Sequence, residues 1–261
     1  MSEEITVGRS LYLYCIAGGN EKINLGPIGI EGGRVYSIPH REVSAIVHDC
    51  EARPYESGEA EKVKNWVMIH QQVVDTAWER FGTVLPMSFD TLIVGGEGIE
   101  PEENLKKWLQ EDYEKLREKF SHVRGKAEYG VQILWDPRIM VDKIAENSPE
   151  IRNLKEEVKS KSPGVAYMYE QKVKNLLRRE MENKADEYFK DFYQRIKKEV
   201  FDIHIDKTKK GDNEQLQMIM NLSCLVSGEK VEKLGDVLEG INREEGLHIR
   251  FTGPWPPYSF A

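Results

Sequence analysis

The sequence is poor in cysteine and contains no long apolar run. Its three cysteines, Cys15, Cys50 and Cys224, are odd in number and far apart, which argues against a disulfide framework and favours a reducing compartment. No apolar stretch approaches the roughly 18–20 residues that a membrane-spanning helix requires. The first residues, Met1 to Glu4, lack the basic start and apolar core of a secretion signal. We therefore expect a cytoplasmic protein that has no membrane partner.

The chain also lacks an excess of positive charge. It carries 37 Lys and Arg against 45 Asp and Glu, a net charge of −8, so a phosphate backbone would be repelled. Residues 1–123 hold 13 basic and 21 acidic side chains, whereas residues 124–261 hold 24 of each. This asymmetry agrees with two domains, 1–123 and 124–261, and we expect no nucleic-acid partner.

Spacings typical of metal sites are missing as well. No two of the six histidines stand four residues apart on a predicted helix, and there is no Cys-x-x-Cys motif. Cys50 follows His48 in a predicted strand, and we interpret the alternation of side chains there as an argument against a catalytic pair. His70 lies on the apolar face of a predicted helix, where we expect a histidine that is satisfied by a partner or half-buried. The sequence predicts no metal, no cofactor and no small-molecule substrate.

Apolar residues make up 39% of the chain, which is enough to build real cores. In the first half, residues 59–81 form the clearest helix, because apolar side chains recur there every three or four positions. Ser57 is a plausible N-cap for this helix, and Pro101 fits the first turn of a second helix that extends to Phe120. Strands are predicted at 11–17, 35–38, 43–47 and 83–86.

The second half has the order β-α-β-β-α-β. Asp136 is interpreted as the N-cap of its first helix, and a polar hairpin loop is predicted at 207–213. The order, with an extra helix in the first crossover, predicts a modified ferredoxin-like domain, so the fold class is α+β with two domains. The predicted strands are 129–135, 200–205, 216–226 and 247–251, and the predicted helices are 138–160, 165–199 and one that follows Gly228.

Five segments together resemble the gas vesicle GvpF/GvpL family. The most specific is Gly-Pro-Trp-Pro-Pro-Tyr-Ser-Phe at 253–260. The others are Leu-Tyr-Leu-Tyr-Cys-Ile at 11–16, Thr-Val-Leu-Pro-Met-Ser-Phe-Asp-Thr at 83–91, Tyr-Gly-Val-Gln-Ile-Leu-Trp-Asp at 129–136 and Gly-Val-Ala-Tyr-Met-Tyr at 164–169. Their order and spacing extend the resemblance over nearly the whole chain.

The resemblance implies an accessory protein of gas vesicle assembly. It implies two α+β domains, the second a modified ferredoxin fold, and association with the hydrophobic shell protein and with other accessory proteins. It implies no catalytic residue. The protein would then act as an assembly factor or as a minor component of the vesicle, without being an enzyme.

The proline-rich tail provides the candidate contact residues. Prolines restrict the chain and the residue before each of them to extended geometry, so the aromatic side chains are held on a stiff strip. This strip either folds back to seal an edge of its own domain or docks to the shell protein or another accessory protein. The candidate residues are Pro254, Trp255, Pro256, Pro257, Tyr258 and Phe260.

Two other functions remain open at this point. An α+β enzyme of unknown reaction would need acid–base chemistry from Asp136 or Glu97 in an unrecognised pocket. The loop 95–98 that contains Glu97 is rich in glycine, but no Lys-Ser/Thr follows, and its carboxylate would repel a phosphate. A small-ligand sensor is the third possibility, and fold alone gives it no support.

Overall fold

The computed structural model describes residues 8–96, 98–209 and 215–261. The chain groups into two compact units, the first reaching to Glu128 and also including Pro254–Ala261, and the second spanning Tyr129–Gly253. The tail therefore groups with the first unit, whereas the sequence interpretation put it in a domain 124–261. The boundary at residue 123 stays a prediction.

The sheet of the first unit is built around its first strand. This strand, β1, pairs antiparallel with β4 along one edge, while β5 and β6 pair with different parts of its other edge. The order is β2-β3-β4-β1-β5, with β6 beside β1 as well. The apolar run of β1 is buried, as the sequence predicted, and its side chains pack in one core with residues of α1. The strands are β1 (Arg9–Gly18), β2 (Asn24–Gly26), β3 (Val35–His40), β4 (Val43–Glu51), β5 (Val84–Pro86) and β6 (Leu92–Val94).

Three helices complete the first unit: α1 (Ala60–Phe81), α2 (Pro101–Glu111) and α3 (Tyr113–Val123). The buried stripe of α1, which includes Trp66 and His70, packs into the core with β1, and Gly82 ends the helix with a φ of 71°. Ser57 is not the N-cap, because its hydroxyl accepts the Glu59 N–H before the helix begins. The single predicted helix from Pro101 is divided at Asp112 into α2 and α3.

The second unit contains a four-stranded sheet in the order β10-β7-β9-β8. Within this unit Tyr129 of β7 and Phe251 of β10 stack at 5.3 Å, and Gly130 comes so close to Thr252 that a Cβ there would clash. The strands are β7 (Lys126–Trp135), β8 (Asp202–Ile205), β9 (Gln217–Ser227) and β10 (Leu247–Trp255), and the helices are α4 (Pro137–Asn147), α5 (Pro149–Lys159), α6 (Pro163–Lys197) and α7 (Val231–Asn242).

The predicted helix 138–160 is broken in the structure. Ser148 ends α4 and caps α5 by accepting the Ile151 N–H at 3.4 Å, and Pro149 occupies the first turn of α5. A proline removes one helical N–H and excludes the preceding residue from helical geometry, which explains the break. The crossover from β7 to β8 thus holds three helices, one more than predicted. Part of the predicted loop 207–213 lies outside the described residues.

Candidate functional site

The tail groups with the first unit, with two of its three prolines buried and a short 3₁₀ turn near its end, while Pro254 is exposed. Pro256 and Pro257 are buried, and Phe260 is half-buried. The turn spans Tyr258–Phe260, where the Tyr258 N–H donates to the Pro256 carbonyl at 2.8 Å. Trp255 remains 49% exposed and Tyr258 37% exposed. The tail is therefore folded back, and Trp255 is the aromatic side chain that it leaves most open to solvent.

One buried carboxylate anchors the tail. The Ser259 N–H donates to Glu128 Oε2 at 2.7 Å, and the Ser259 hydroxyl donates to Glu128 Oε1 at 2.8 Å. Glu128 is only 8% exposed, so these bonds satisfy a charge that has little access to water. Hydrogen bonds to a charged group contribute about 1.5–3 kcal/mol each, which makes this contact a strong local restraint.

A small apolar cavity lies beside the docked tail. Its volume is about 260 Å³. Tyr258 and Ala261 form one wall, and the rest comes from the end of β5, the residues after it, α2 and α3. Burial raises the pKa of the Tyr258 hydroxyl, so this hydroxyl stays neutral at ordinary pH. The remaining lining residues are Leu85, Pro86, Met87, Ser88, Trp108, Leu116 and Lys119.

Two buried tyrosine–histidine pairs occupy the core of the first unit. The Tyr12 hydroxyl accepts the Asp90 N–H and lies 2.9 Å from His70 Nδ1, while His70 Nε2 lies 3.2 Å from the Met87 carbonyl. A carbonyl only accepts, so His70 Nε2 carries the proton and Nδ1 accepts from Tyr12. The expectation of a partnered His70 is confirmed.

The second pair repeats this pattern. The Tyr14 hydroxyl accepts the Ile30 N–H and lies 2.8 Å from His48 Nδ1, and His48 Nε2 lies 3.1 Å from the Tyr55 hydroxyl. Burial lowers the pKa of both His48 and His70 to about 4, so both rings are neutral at pH 7.

Cys50 and His48 form no reactive pair, for a reason that differs from the sequence argument. Residues two apart in a strand share a face, and both line one open cavity of about 410 Å³. However, Tyr14 and Tyr55 occupy both ring nitrogens of His48, and the thiol of Cys50 lies 3.1 Å from the Ser10 hydroxyl. Burial raises the pKa of the Cys50 thiol, so the thiolate is disfavoured.

The remaining candidates for chemistry lie apart from this cluster. Asp136 Oδ1 accepts the Arg138 N–H at 2.8 Å, which confirms the predicted N-cap of α4. Glu97 lies outside the described residues. Cys15 and Cys224 are buried. Across 8–96, 98–209 and 215–261, no three His, Cys, Asp or Glu side chains are grouped to hold a metal ion. No helix in those ranges is long and apolar enough to cross a membrane.

The sequence did not reveal the cavity or the tyrosine–histidine pairs. Tyr12 and His70 are 58 residues apart, and Tyr14 and His48 are 34 apart. The signal that was available is the Leu-Tyr-Leu-Tyr run of β1, in which two tyrosines alternate with buried leucines. Polar hydroxyls in so apolar a strand require buried partners, and histidines at central positions of predicted elements are suitable ones.

Comparison with known structures defines the class of protein. The chain has the fold of the crystal structure of the gas vesicle protein GvpF from Anabaena, with a TM-score of 0.77 and 20% identity over 97% of this chain and 98% of that chain. GvpF from Microcystis aeruginosa matches with a TM-score of 0.65 and 19% identity over 98% of this chain and 99% of that chain. It is thus a mixed helix-and-sheet protein with the fold of solved gas vesicle proteins.

Sequence comparison then shows the family. The family model for gas vesicle synthesis protein GvpL/GvpF matches residues 10–261. Gas vesicle protein L1 of Halobacterium salinarum is 34% identical over all of this chain and 93% of its own length. Gas vesicle protein L of Haloferax mediterranei is 31% identical over 89% of this chain and 72% of its own. The chain belongs to the GvpL/GvpF family of gas vesicle proteins, which confirms the resemblance seen in the five segments.

Proposed function

We propose that this protein assists gas vesicle assembly by binding the hydrophobic shell protein and other accessory proteins. It would act in the cytoplasm or on the vesicle, as an assembly factor or a minor vesicle component. The family description as gas vesicle synthesis proteins supports the process, and the likeness to proteins named gas vesicle protein L supports the location. A hydrophobic subunit that awaits incorporation needs its apolar surface covered, and a soluble partner supplies that cover.

The observation that carries the proposal is the exposed Trp255. Its neighbours Pro254 and Pro256 restrict the backbone, and Pro256 is buried against the first unit. The backbone that carries the indole is therefore restricted before binding, which lowers the entropy that a partner contact would cost. Tryptophan is among the residues most enriched at binding hot spots. Of the six candidate contact residues, Trp255 and the partly exposed Tyr258 remain our proposal for the partner contact.

We also propose that the protein works without catalysis and without a cofactor. The two histidines of the first unit's core are neutral and have both ring nitrogens engaged, and Asp136 is engaged at a helix N-terminus. A general base needs a free lone pair within reach of a substrate, and these groups do not offer one. Their arrangement is better suited to fixing the core than to proton transfer.

The second unit fits a modified ferredoxin-like domain. The chain order β7, helices, β8, β9, α7, β10 matches β-α-β-β-α-β, with two additional helices in the first crossover. The strand order β10-β7-β9-β8 puts the first and third strands in the middle. We propose this architecture as the scaffold of the second of two domains.

Co-production with the shell protein tests the function. We expect the wild-type chain to raise the amount of soluble shell protein. Trp255→Ala is expected to weaken the binding of shell protein about tenfold, as loss of one hot-spot side chain would, and so to reduce that gain. Met68→Ala is the matched control, since Met68 is 50% exposed on α1 in the same unit. An unchanged yield of soluble shell protein with the wild-type chain would contradict the proposal.

A further inference from the structure

The helical hairpin of α5 and α6 carries a net positive charge, unlike the rest of the chain. Residues 151–179 hold eight Lys and Arg against three Glu, whereas the remaining residues hold 29 basic and 42 acidic side chains. The two helices pack through a small apolar cluster that includes Ile151, Val173 and Leu176. This part of the second unit therefore attracts an acidic surface and repels a basic one.

An open, mainly apolar groove lies on this hairpin. Its volume is about 250 Å³, and its walls come from both helices. The apolar walls are formed by Val158 of α5 and Val173 of α6, and Val173 is only 8% exposed. Because interiors are normally close-packed, such a space at a helix–helix seam has room for an apolar side chain from outside the hairpin. The other lining residues are Lys155, Glu170 and Lys174.

The two lysines at the rim of the groove are available to a partner. Elsewhere on the hairpin, Lys159 forms a salt bridge with Glu156 at 3.0 Å. Among the residues that the structure describes, no carboxylate forms a salt bridge with Lys155 or Lys174, and both lysines are exposed. Glu170 also stands at the rim, where the two cations outnumber it. An apolar groove with an excess of cations at its rim is complementary to an apolar side chain flanked by carboxylates.

An exposed aromatic side chain extends this surface. Tyr167 is 62% exposed, which makes it more open to solvent than Trp255. It stands three residues before Glu170 and seven before Lys174, so all three lie on one face of α6. Large exposed apolar side chains beside a groove are typical of protein-binding surfaces.

We propose that the α5–α6 hairpin docks an acidic amphipathic segment of a partner protein. An apolar side chain of that segment enters the groove, and its carboxylates meet Lys155 and Lys174. A membrane surface is met by a continuous apolar helix face, whereas here the apolar side chains lie in a groove between charged residues. The surface shares no residue with the tail, the contact proposed for the shell protein, and gives the chain a second site for a partner.

Binding of a labelled synthetic peptide, measured by fluorescence anisotropy, tests this contact. The probe is a helix with leucine on one face and glutamate at its other positions. We expect the wild-type chain to bind it, more weakly as salt rises. Joint Lys155→Glu and Lys174→Glu replacement should weaken binding at least about tenfold, and Tyr167→Ser should weaken it as well. The matched control reverses two other exposed helical lysines, Lys107→Glu and Lys190→Glu, and is expected to bind as the wild type does.

Two further peptides separate the effect of charge from that of apolar contact. One has lysine in place of glutamate, and the other has serine in place of leucine. Both are expected to bind at least about tenfold more weakly than the probe, because each lacks one of the two complementary features. Equal binding of the serine peptide would show that the groove takes no part, which overturns the proposal.

Vesicles of anionic phospholipid and a single-stranded oligonucleotide represent the other partners that a basic surface attracts. If either binds through Lys155 and Lys174 while the acidic peptide does not, the proposal is overturned. Failure of the wild-type chain to bind the acidic peptide, or unchanged binding after the double charge reversal, has the same consequence.

The result does not depend on the shell-protein contact. Trp255→Ala keeps the hairpin intact and is expected to bind the peptide as the wild type does. Loss of peptide binding in Trp255→Ala would assign the peptide to the tail instead and so exclude the hairpin as its site.

Discussion

At the scale of single residues, the first unit is specified by polar side chains inside an apolar core. Tyr12 and Tyr14 are fully buried in β1, and each has its hydroxyl hydrogen-bonded to a histidine and to a backbone N–H. A buried hydroxyl without partners costs about 1–3 kcal/mol, so these pairs favour one arrangement of β1 against α1 and β4.

The histidines predict how stability depends on pH. Both His48 and His70 have a folded pKa of about 4, whereas an unfolded histidine titrates near pH 6.5. Between these two pH values the unfolded chain binds more protons than the folded chain, so the free energy of unfolding decreases as the pH falls. The free energy of unfolding should drop by up to about 1.4 kcal/mol per pH unit for each histidine.

Urea unfolding at about pH 7 and about pH 5 measures this slope. Replacement of His70 by Gln removes one of the two titrating groups and should make the dependence shallower. His248 is exposed on β10, and His248→Gln is the matched control for the substitution of a histidine by glutamine at the protein surface. Equal stability of the wild type at both pH values would show that the buried rings are not neutral in the folded state.

At the scale of elements, helix N-caps determine where α4 and α5 of the second unit begin. Asp136 follows β7 directly and starts α4 by accepting the Arg138 N–H. Ser148 caps α5 in the same way by accepting the Ile151 N–H, and Pro149 is the next residue in the chain. A short polar side chain followed by proline is therefore the local signal that separates these elements.

Removing one cap should destabilise the protein measurably. Asp136→Ala leaves the Arg138 N–H without its acceptor and should lower the free energy of unfolding by about 1 kcal/mol. Asp136→Asn keeps a side-chain acceptor and should lose only a fraction of that. Denaturant midpoints at neutral pH report the difference, and an Asp136→Ala midpoint equal to that of the wild type would mean that the cap contributes nothing.

At the scale of the whole molecule, the end of the chain is part of the first unit. Pro254–Ala261 begins in the last two residues of β10, yet it groups with the first unit, where Tyr258 and Ala261 line a cavity together with residues of β5, α2 and α3. Glu128 holds it with two hydrogen bonds. The tail thus completes a core that begins near the other end of the sequence.

Removal of residues 256–261 should uncover that core. Leu85, Pro86 and Leu116 would lose apolar cover, so we expect a lower denaturant midpoint, stronger binding of an apolar fluorescent dye and less soluble protein. Trp255→Ala is the control, because it removes an exposed aromatic ring but leaves residues 256–261 in place over the apolar side chains. A truncated chain with the wild-type midpoint and dye signal would show that the tail is not part of the packing.

The sequence determined the elements that have a strong period of their own. Four features are local patterns of this kind, and each appears in the structure close to its predicted position. They are the apolar stripe of α1, the buried apolar run of β1, the long helix α6 and the helix cap at Asp136. β2 and β6 have three residues each, too few for a period, and they exist only because β3 and β1 offer edges to pair with.

Only the tertiary structure decided what those elements bring together. Three features bring together residues that are far apart in the chain. They are the hydrogen bond between Tyr12 and His70, the hydrogen bonds from Ser259 to Glu128, and the cavity that Tyr258 lines. Nothing in local propensity encodes such contacts, because their energies arise only after distant segments have packed. The sequence by itself thus determined the family, most of the helices and strands and the set of candidate tail residues, while packing decided which of those side chains remain exposed.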